Sequence, residues 1–198
     1  YSFVNFSGAR YLQPSNFGTA TNYGLEVDFT HYFRIFGIRA NYTFTNSEII
    51  TLKTFRYTNE AGVRTERQEN QIRPLQGQSM HCGNLSLLLK DQKSGFDAQL
   101  AMVYTGDRIV RVSNYKDGDF WQKGFVQLDF SAEKRIMKYL TAYIKINNIL
   151  NTPYEVVVFQ SYKANSSEAA PFQKDGEDFL IQKDYYGQTY LAGLRFKL

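Results

Sequence analysis

Along residues 138–157, KYLTAYIKINNILNTPYEVV, the positions Leu140, Ala142, Ile144 and Ile146 fall on one parity. Tyr139, Thr141, Tyr143, Lys145 and Asn147 fall on the other. Alternation with period two predicts a β-strand with one apolar and one polar face. The pattern recurs along the chain. In residues 22–32, Tyr23, Leu25, Val27 and Phe29 alternate with Gly24, Glu26, Asp28 and Thr30, and after a turn near Arg34, Phe36, Ile38, Ala40, Tyr42 and Phe44 alternate with Gly37, Arg39, Asn41, Thr43 and Thr45. Further segments follow at 83–90, 96–106, 125–132 and 189–198, and Tyr1 to Gly8 reads as the end of another strand.

The connections between these segments alternate in length. Tight links join 22–32 to 36–45, 83–90 to 96–106 and 125–132 to 138–147, whereas the links through 46–78, 107–119 and 152–187 are long. Short turns at one end and long loops at the other are the arrangement of an outer-membrane barrel, in which periplasmic turns are short. On that reading the C-terminus is periplasmic. Charge is sorted in the same sense. Glu26, Asp28, Arg39, Lys90, Asp97, Asp129, Lys145, Arg195 and Lys197 all lie on the polar parity, and the opposite parity of the same spans carries only Lys138, at the turn end of its segment. One charge on a lipid face at the bilayer midplane costs roughly 2–4 kcal/mol, so one-sided charge implies a wet lumen and a lipid-facing exterior. Aromatics gather at segment ends, as an interfacial girdle requires: Tyr32, Phe33, Phe36, Tyr139 and Phe196 by the short turns, Tyr104, Trp121, Phe125 and Tyr190 by the long loops.

Composition agrees with strands. The 198 residues include 15 Tyr, 16 Phe and only 4 Pro. Mean hydropathy is −0.43, and no apolar run reaches the roughly 18 residues of a helical span, which excludes transmembrane helices and leaves a transmembrane barrel open. A net charge of +4 without a basic stripe argues against a nucleic-acid partner. Cys82 is the single cysteine, so neither a disulfide framework nor a cysteine metal site can form. His81 and Cys82 are adjacent and so point to opposite faces of a strand. The acidic turns KDGD at 116–119 and DGED at 175–178 lack the ligand spacing of a calcium loop and read as ordinary turns. No phosphate loop, nucleophile elbow or metalloprotease helix occurs, so no enzyme activity, catalytic residue, metal or cofactor is expected. Residues 1–20 contain no signal-peptide pattern, which leaves either a removed leader or a chain that begins within something larger.

NNILNTPYE, residues 147–155, resembles the Asn-hydrophobic-hydrophobic-Asn-x-x-Tyr element closing the penultimate strand of TonB-dependent outer-membrane receptors. NFGTATNYGLEVDF, residues 16–29, is similar to that family's Asn-x-Gly-x-Ala-x-x-x-Gly-x-Glu entry into a downward strand, and GQTYLAGLRFKL, residues 187–198, resembles its last strand. The resemblance implies an all-β, transmembrane antiparallel β-barrel of about twenty-two strands. Residues 1–198 would be the last seven to eight strands, the C-terminal portion of that barrel, with the plug domain, TonB box and signal peptide outside the chain. It implies a Gram-negative outer-membrane receptor that imports a siderophore, haem, cobalamin, glycan or peptide. Its implied partners are outer-membrane lipid, the N-terminal plug and remaining barrel strands, the TonB complex acting through the plug, and a surface lipoprotein lid.

Ligand contacts in such a receptor lie on loops, where Arg64, Arg67, Trp121, Tyr162 and Tyr185 are the candidates, with Tyr57, Arg73, Tyr154 and Tyr186 beside them. Aromatics there suit stacking on sugars and arginines suit anionic chelates, while solvated-loop and girdle roles fit the same residues. Three rival readings remain: a passive outer-membrane channel, a small autonomous outer-membrane barrel, and a soluble lipocalin-like binding barrel. The mixture of Gly24, Gly37, Ala101 and Gly193 with charges on the inward parity suits a wide lumen better than a packed small one.

Overall fold

A computed structural model of the protein describes residues 2–6, 9–13, 19–159 and 177–197. Strands β1 (Ser2–Phe6) and β2 (Ala9–Gln13) form a hairpin of their own. The main sheet contains β3 (Ala20–Phe33), β4 (Phe36–Thr58), β5 (Arg64–Arg73), β6 (His81–Asp91) and β7 (Phe96–Thr105). Past a smaller pair, β8 (Arg108–Arg111) and β9 (Phe120–Gln122), it continues with β10 (Phe125–Met137) and β11 (Leu140–Asn147). After β12 (Tyr154–Val158) and β13 (Phe179–Asp184), the last strand is β14 (Thr189–Phe196). All strands of the main sheet are antiparallel, in the order β14-β11-β10-β7-β6-β4-β3, with β5 pairing β4 beyond the end of β6.

Every alternating segment from residue 22 onward is a strand, and each tight link is a turn. Arg34 adopts φ 53° between β3 and β4, and Gly95 adopts φ 66° between β6 and β7. Arg135 donates its backbone N–H to the Gly95 carbonyl at 2.8 Å, tying that turn to the next hairpin. Tyr139 and Phe196, both expected in a girdle, meet edge to face at 5.1 Å by the β10–β11 turn.

Register carries the two faces across the sheet, with a single shift by the β10–β11 turn, between Arg135 and Met137. Phe29 faces Ala40, Ala40 faces Leu85, Leu85 faces Met102 and Met102 faces Leu128. Further along, Ile144 faces both Ala132 and Ala192. Opposite runs the polar face: Asp28 faces Asn41, Asn41 faces Asn84, and Asp97 faces Lys90 and Glu133. Asn84 donates to Asn41 at 2.7 Å, and Arg195 pairs with Glu133 at 3.3 Å. Gly37 and Gly193 serve this face by accepting a tyrosine ring: an added Cβ would lie 2.6 Å from Tyr32 and 2.7 Å from Tyr143, each the direct cross-strand partner. At Gly24 a Cβ would stand 2.2 Å from the Phe44 carbonyl oxygen, so only glycine allows β3 and β4 to approach this closely.

The location of the core separates this sheet from a soluble one. Among the described residues the buried apolar side chains are Ile49, at the far end of the β3–β4 pairing, and Ile109, Val156 and Val157, which lie outside the main sheet. Leu25 is 62% exposed, Leu87 49% and Leu194 68%. Leaving a large apolar side chain in water forgoes about 1.5–3 kcal/mol of burial, so a face of them calls for hydrocarbon or another apolar surface against it.

Two expectations change. The stretch Tyr1 to Gly8, expected to end a strand of the barrel, contributes β1, whose partner is β2. The links at 46–78 and 152–187, expected as loops, contain the far half of β4 with β5, and β12 with β13. Ser47 to Lys53 lacks clean alternation because the strand there packs one face on other connections while Ile50 and Leu52 stay exposed.

Replacing Ile144 with Arg is expected to lower the urea midpoint of the membrane-inserted protein by an amount worth about 2–4 kcal/mol, whereas Lys145→Ala should change it little. Equal effects of the two changes would show that the faces are not differentially solvated.

Candidate functional site

Beyond the long-connection ends of the spanning strands stands a second sheet, in the order β13-β12-β9-β8. It holds the conventional core, with Ile109, Val156 and Val157 buried. The β4–β5 hairpin is joined to it by the 112–119 connection. Thr54 donates to the Asn114 carbonyl at 2.8 Å, and Lys116 donates back to the Thr54 carbonyl at 3.0 Å. At the centre of this joint Lys53 Nζ meets Asp119 Oδ1 at 2.5 Å, with both side chains buried. Asp119 also accepts the Ser113 N–H at 2.7 Å. Burial pulls the Lys53 amine below its ordinary value, and Asp119 opposes that shift.

A cluster of cations and rings covers the hairpin nearby. Phe55 and Tyr57 stack at 6.0 Å, and the Arg67 guanidinium lies 5.1 Å and 4.9 Å from their centres. Arg56 sits 4.1 Å over the Tyr115 ring. Glu69 receives Lys116 and Arg67, each at 2.5 Å, and these hydrogen bonds hold its carboxyl below the usual value.

The sequence candidates are thus spread rather than gathered. Arg67 and Tyr57 share the stack, Arg64 lies at the start of β5, and Trp121 on β9 packs its ring 5.2 Å from Phe159. Arg73, at the end of β5, is buried. Tyr154 and Tyr186 meet edge to face at 6.5 Å, and exposed Tyr185 lies under Lys183 at 5.6 Å. Tyr162 lies outside the described residues. Lys53 and Asp119 escaped the sequence reading because a lysine in a strand and an aspartate in an acidic turn both look solvated.

The NNILNTPYE element has a structural task. Asn148 and Asn151 adopt φ of 54° and 48°, conformations that asparagine tolerates. Asn148 donates to the Gly187 carbonyl at 2.9 Å and accepts the Thr152 N–H at 3.1 Å, while Asp129 accepts the Asn148 N–H at 2.8 Å. The motif therefore locks the end of β11 to β10 and to the approach of β14. His81, on the apolar face, hydrogen-bonds the Tyr42 hydroxyl at 2.7 Å, and Cys82 lies on the opposite parity, opposite Thr43 and Thr105.

These features meet the comparisons. The family model for the TonB dependent receptor-like β-barrel matches residues 2–149, more than half of the chain. The chain belongs to that family of outer-membrane transport proteins of Gram-negative bacteria. No curated protein and no solved structure matches it.

Lys53→Met, which leaves Asp119 buried without its cation, should destabilise the joint by about 3–5 kcal/mol. Amide exchange is expected to quicken in β8 and β9 while β10 and β11 keep their protection. The Glu69 clamp has a defined pH sense. Its folded pKa lies below the ordinary 4.5, so its contribution is present above that value and is lost as pH falls through the lower folded value. Limited proteolysis at 114–118 should therefore accelerate only at acid pH, and Glu69→Gln should remove that dependence.

Proposed function

We propose that this chain is the C-terminal part of the wall of a TonB-dependent importer, with short turns and C-terminus periplasmic and long connections outside the cell. The whole barrel has about twenty-two strands. A plug domain fills its lumen, and the TonB complex draws on that plug to carry in a scarce solute such as a siderophore, haem, cobalamin, glycan or peptide. The wall does no covalent chemistry, and recognition lies in the long connections.

The observation that carries this reading is the open sheet of the family's barrel. Among the described residues β3 and β14 have one partner strand each in the main sheet. Backbone groups at a bare edge in hydrocarbon cost several kcal/mol apiece. Neighbouring strands must cover both edges in the membrane, and a lumen walled by the charges of the polar face needs water or another domain against it. An autonomous small barrel would instead pair β3 or β1 with β14. The lipoprotein lid belongs to this same reading, as a partner at the outer face.

Uptake of the solute by the intact receptor should vanish without TonB; full-rate transport without it would establish a diffusion channel instead. The connection at 160–176 can be removed with β13 spared, because Val158 pairs with Phe179 and the remaining Phe159, Glu177 and Asp178 suffice for a hairpin loop. This deletion should leave barrel assembly intact, judged by heat-modifiable gel mobility, and weaken ligand capture.

A further inference from the structure

β4 pairs with β6 only as far as Phe44 and with β5 only from Ile49, so along that edge residues 45–48 face the 74–80 connection, while their other edge stays paired to β3. Thr45 donates to the Met80 carbonyl at 2.9 Å, and Ser47 Oγ accepts the Leu75 N–H at 3.1 Å. This notch holds a cavity of about 440 Å³, walled by Arg73, Trp121, Tyr104, His81, Ile72 and Met80 among others.

Arg73 is the unusual member. It is only 7% exposed. One guanidinium nitrogen donates to the Pro74 carbonyl at 3.0 Å, and Nε is buried with no partner among the described residues. The neighbouring carboxylate, Asp119, is already committed to Lys53 and to the Ser113 N–H. Two buried cations therefore share one buried anion. Two further carboxylates line the cavity: Glu48, which is exposed, and Asp107, which accepts the Gly124 N–H at 2.5 Å. Among the described residues neither forms an ion pair with Arg73. Burial alone pushes the guanidinium below its ordinary value, which expresses the cost of an under-compensated charge. A visiting anion would relieve it.

We propose that this notch is a subsite for an oxyanion, a carboxylate or a phosphate carried on a small apolar or planar body, with Arg73 receiving the anion and Trp121 and Tyr104 walling the body. The volume falls in the range of small-molecule sites, which set a few placed polar groups among apolar and aromatic walls; Arg73 is the buried charge of this lining, which also carries Glu48 and Asp107. The proposal rests on the importer reading for its biological role alone, since binding requires no energy coupling.

The test is calorimetric titration of the full-length receptor in detergent with benzoate, phenyl phosphate and benzyl alcohol, which share a ring and differ in the charged group. At least one anion should bind, benzyl alcohol about tenfold or more weaker, and the better anion identifies the preferred oxyanion. Arg73→Gln should weaken the anion by about tenfold or more, and Arg73→Lys by less. Should Arg73→Gln fail to assemble by gel mobility, Trp121→Ala on another wall gives the second reading and should also weaken the bound anion. The proposal is overturned if the assembled wild type binds neither anion, or if Arg73→Gln or Trp121→Ala binds as tightly as wild type. TonB-independent uptake would strike the importer reading and leave this result standing.

Discussion

A one-residue slip between any two neighbouring strands of the main sheet would carry Asp28, Arg39, Asp97 or Lys145 to the apolar side and Val27, Ala40, Leu100 or Ile144 to the polar side. Because the side-chain period is two, such an error cannot be local. It exchanges the faces of every strand beyond it. Register is therefore the constraint on which the rest depends, and the chain fixes it at the turns. Arg34 and Gly95 set left-handed turn residues, and Asn148 with Asn151 fixes the far end of β11 against β10 and β14. These are backbone-specifying positions, and their side chains act on the chain itself instead of on a ligand.

The two ends of the long strands are stabilised by different physics. Through the part of the sheet from β3 to β14 that shows the alternation, no apolar side chain is fully buried among the described residues, and what holds the sheet is chiefly the pairing of N–H and C=O groups. At the long-connection end β4 runs on past its pairing with β6, and a conventional core takes over there. Ile109, Val156 and Val157 supply the apolar portion, and Lys53 with Asp119 supplies a buried ion pair. A hydrophobic pair of equal volume would hold the joint as well or better, so the charges specify geometry more than they add stability. A lysine that finds its carboxylate 66 residues away fixes how the hairpin meets the second sheet.

This contrast explains what was legible in the chain. Strands with one face in lipid and one in water leave an unambiguous alternation, and β3, β4, β6, β7, β10, β11 and β14 were readable for that reason. Their motif residues were readable as a resemblance, although the physical role of Gly24 or Asn148 emerges only from the contacts. The second sheet was not readable. Ile49 and Ile50 are adjacent and both apolar, yet one is buried and the other exposed, because packing partners differ on the two sides there. Of the loop candidates, Arg67 and Tyr57 lie in one stack while Trp121 and Arg73 lie at one cavity, a sorting set by pairings distant in sequence.

The same contrast separates what each part of the molecule can respond to. A wall held by backbone pairing depends on pH and ionic strength mainly through contacts on its polar face, such as Arg195–Glu133. The joint is built from Lys53, Asp119, Glu69, Lys116 and Arg67, and the partly exposed Glu69 contacts weaken when a proton or screening salt intervenes, whereas the buried Lys53–Asp119 pair is screened far less. Local opening therefore belongs to the outer region, where the structure can rearrange without breaking a strand pair in the membrane. A receptor wall benefits from that division. The part held by side-chain contacts can yield and re-form while the part held by strand pairing stays closed.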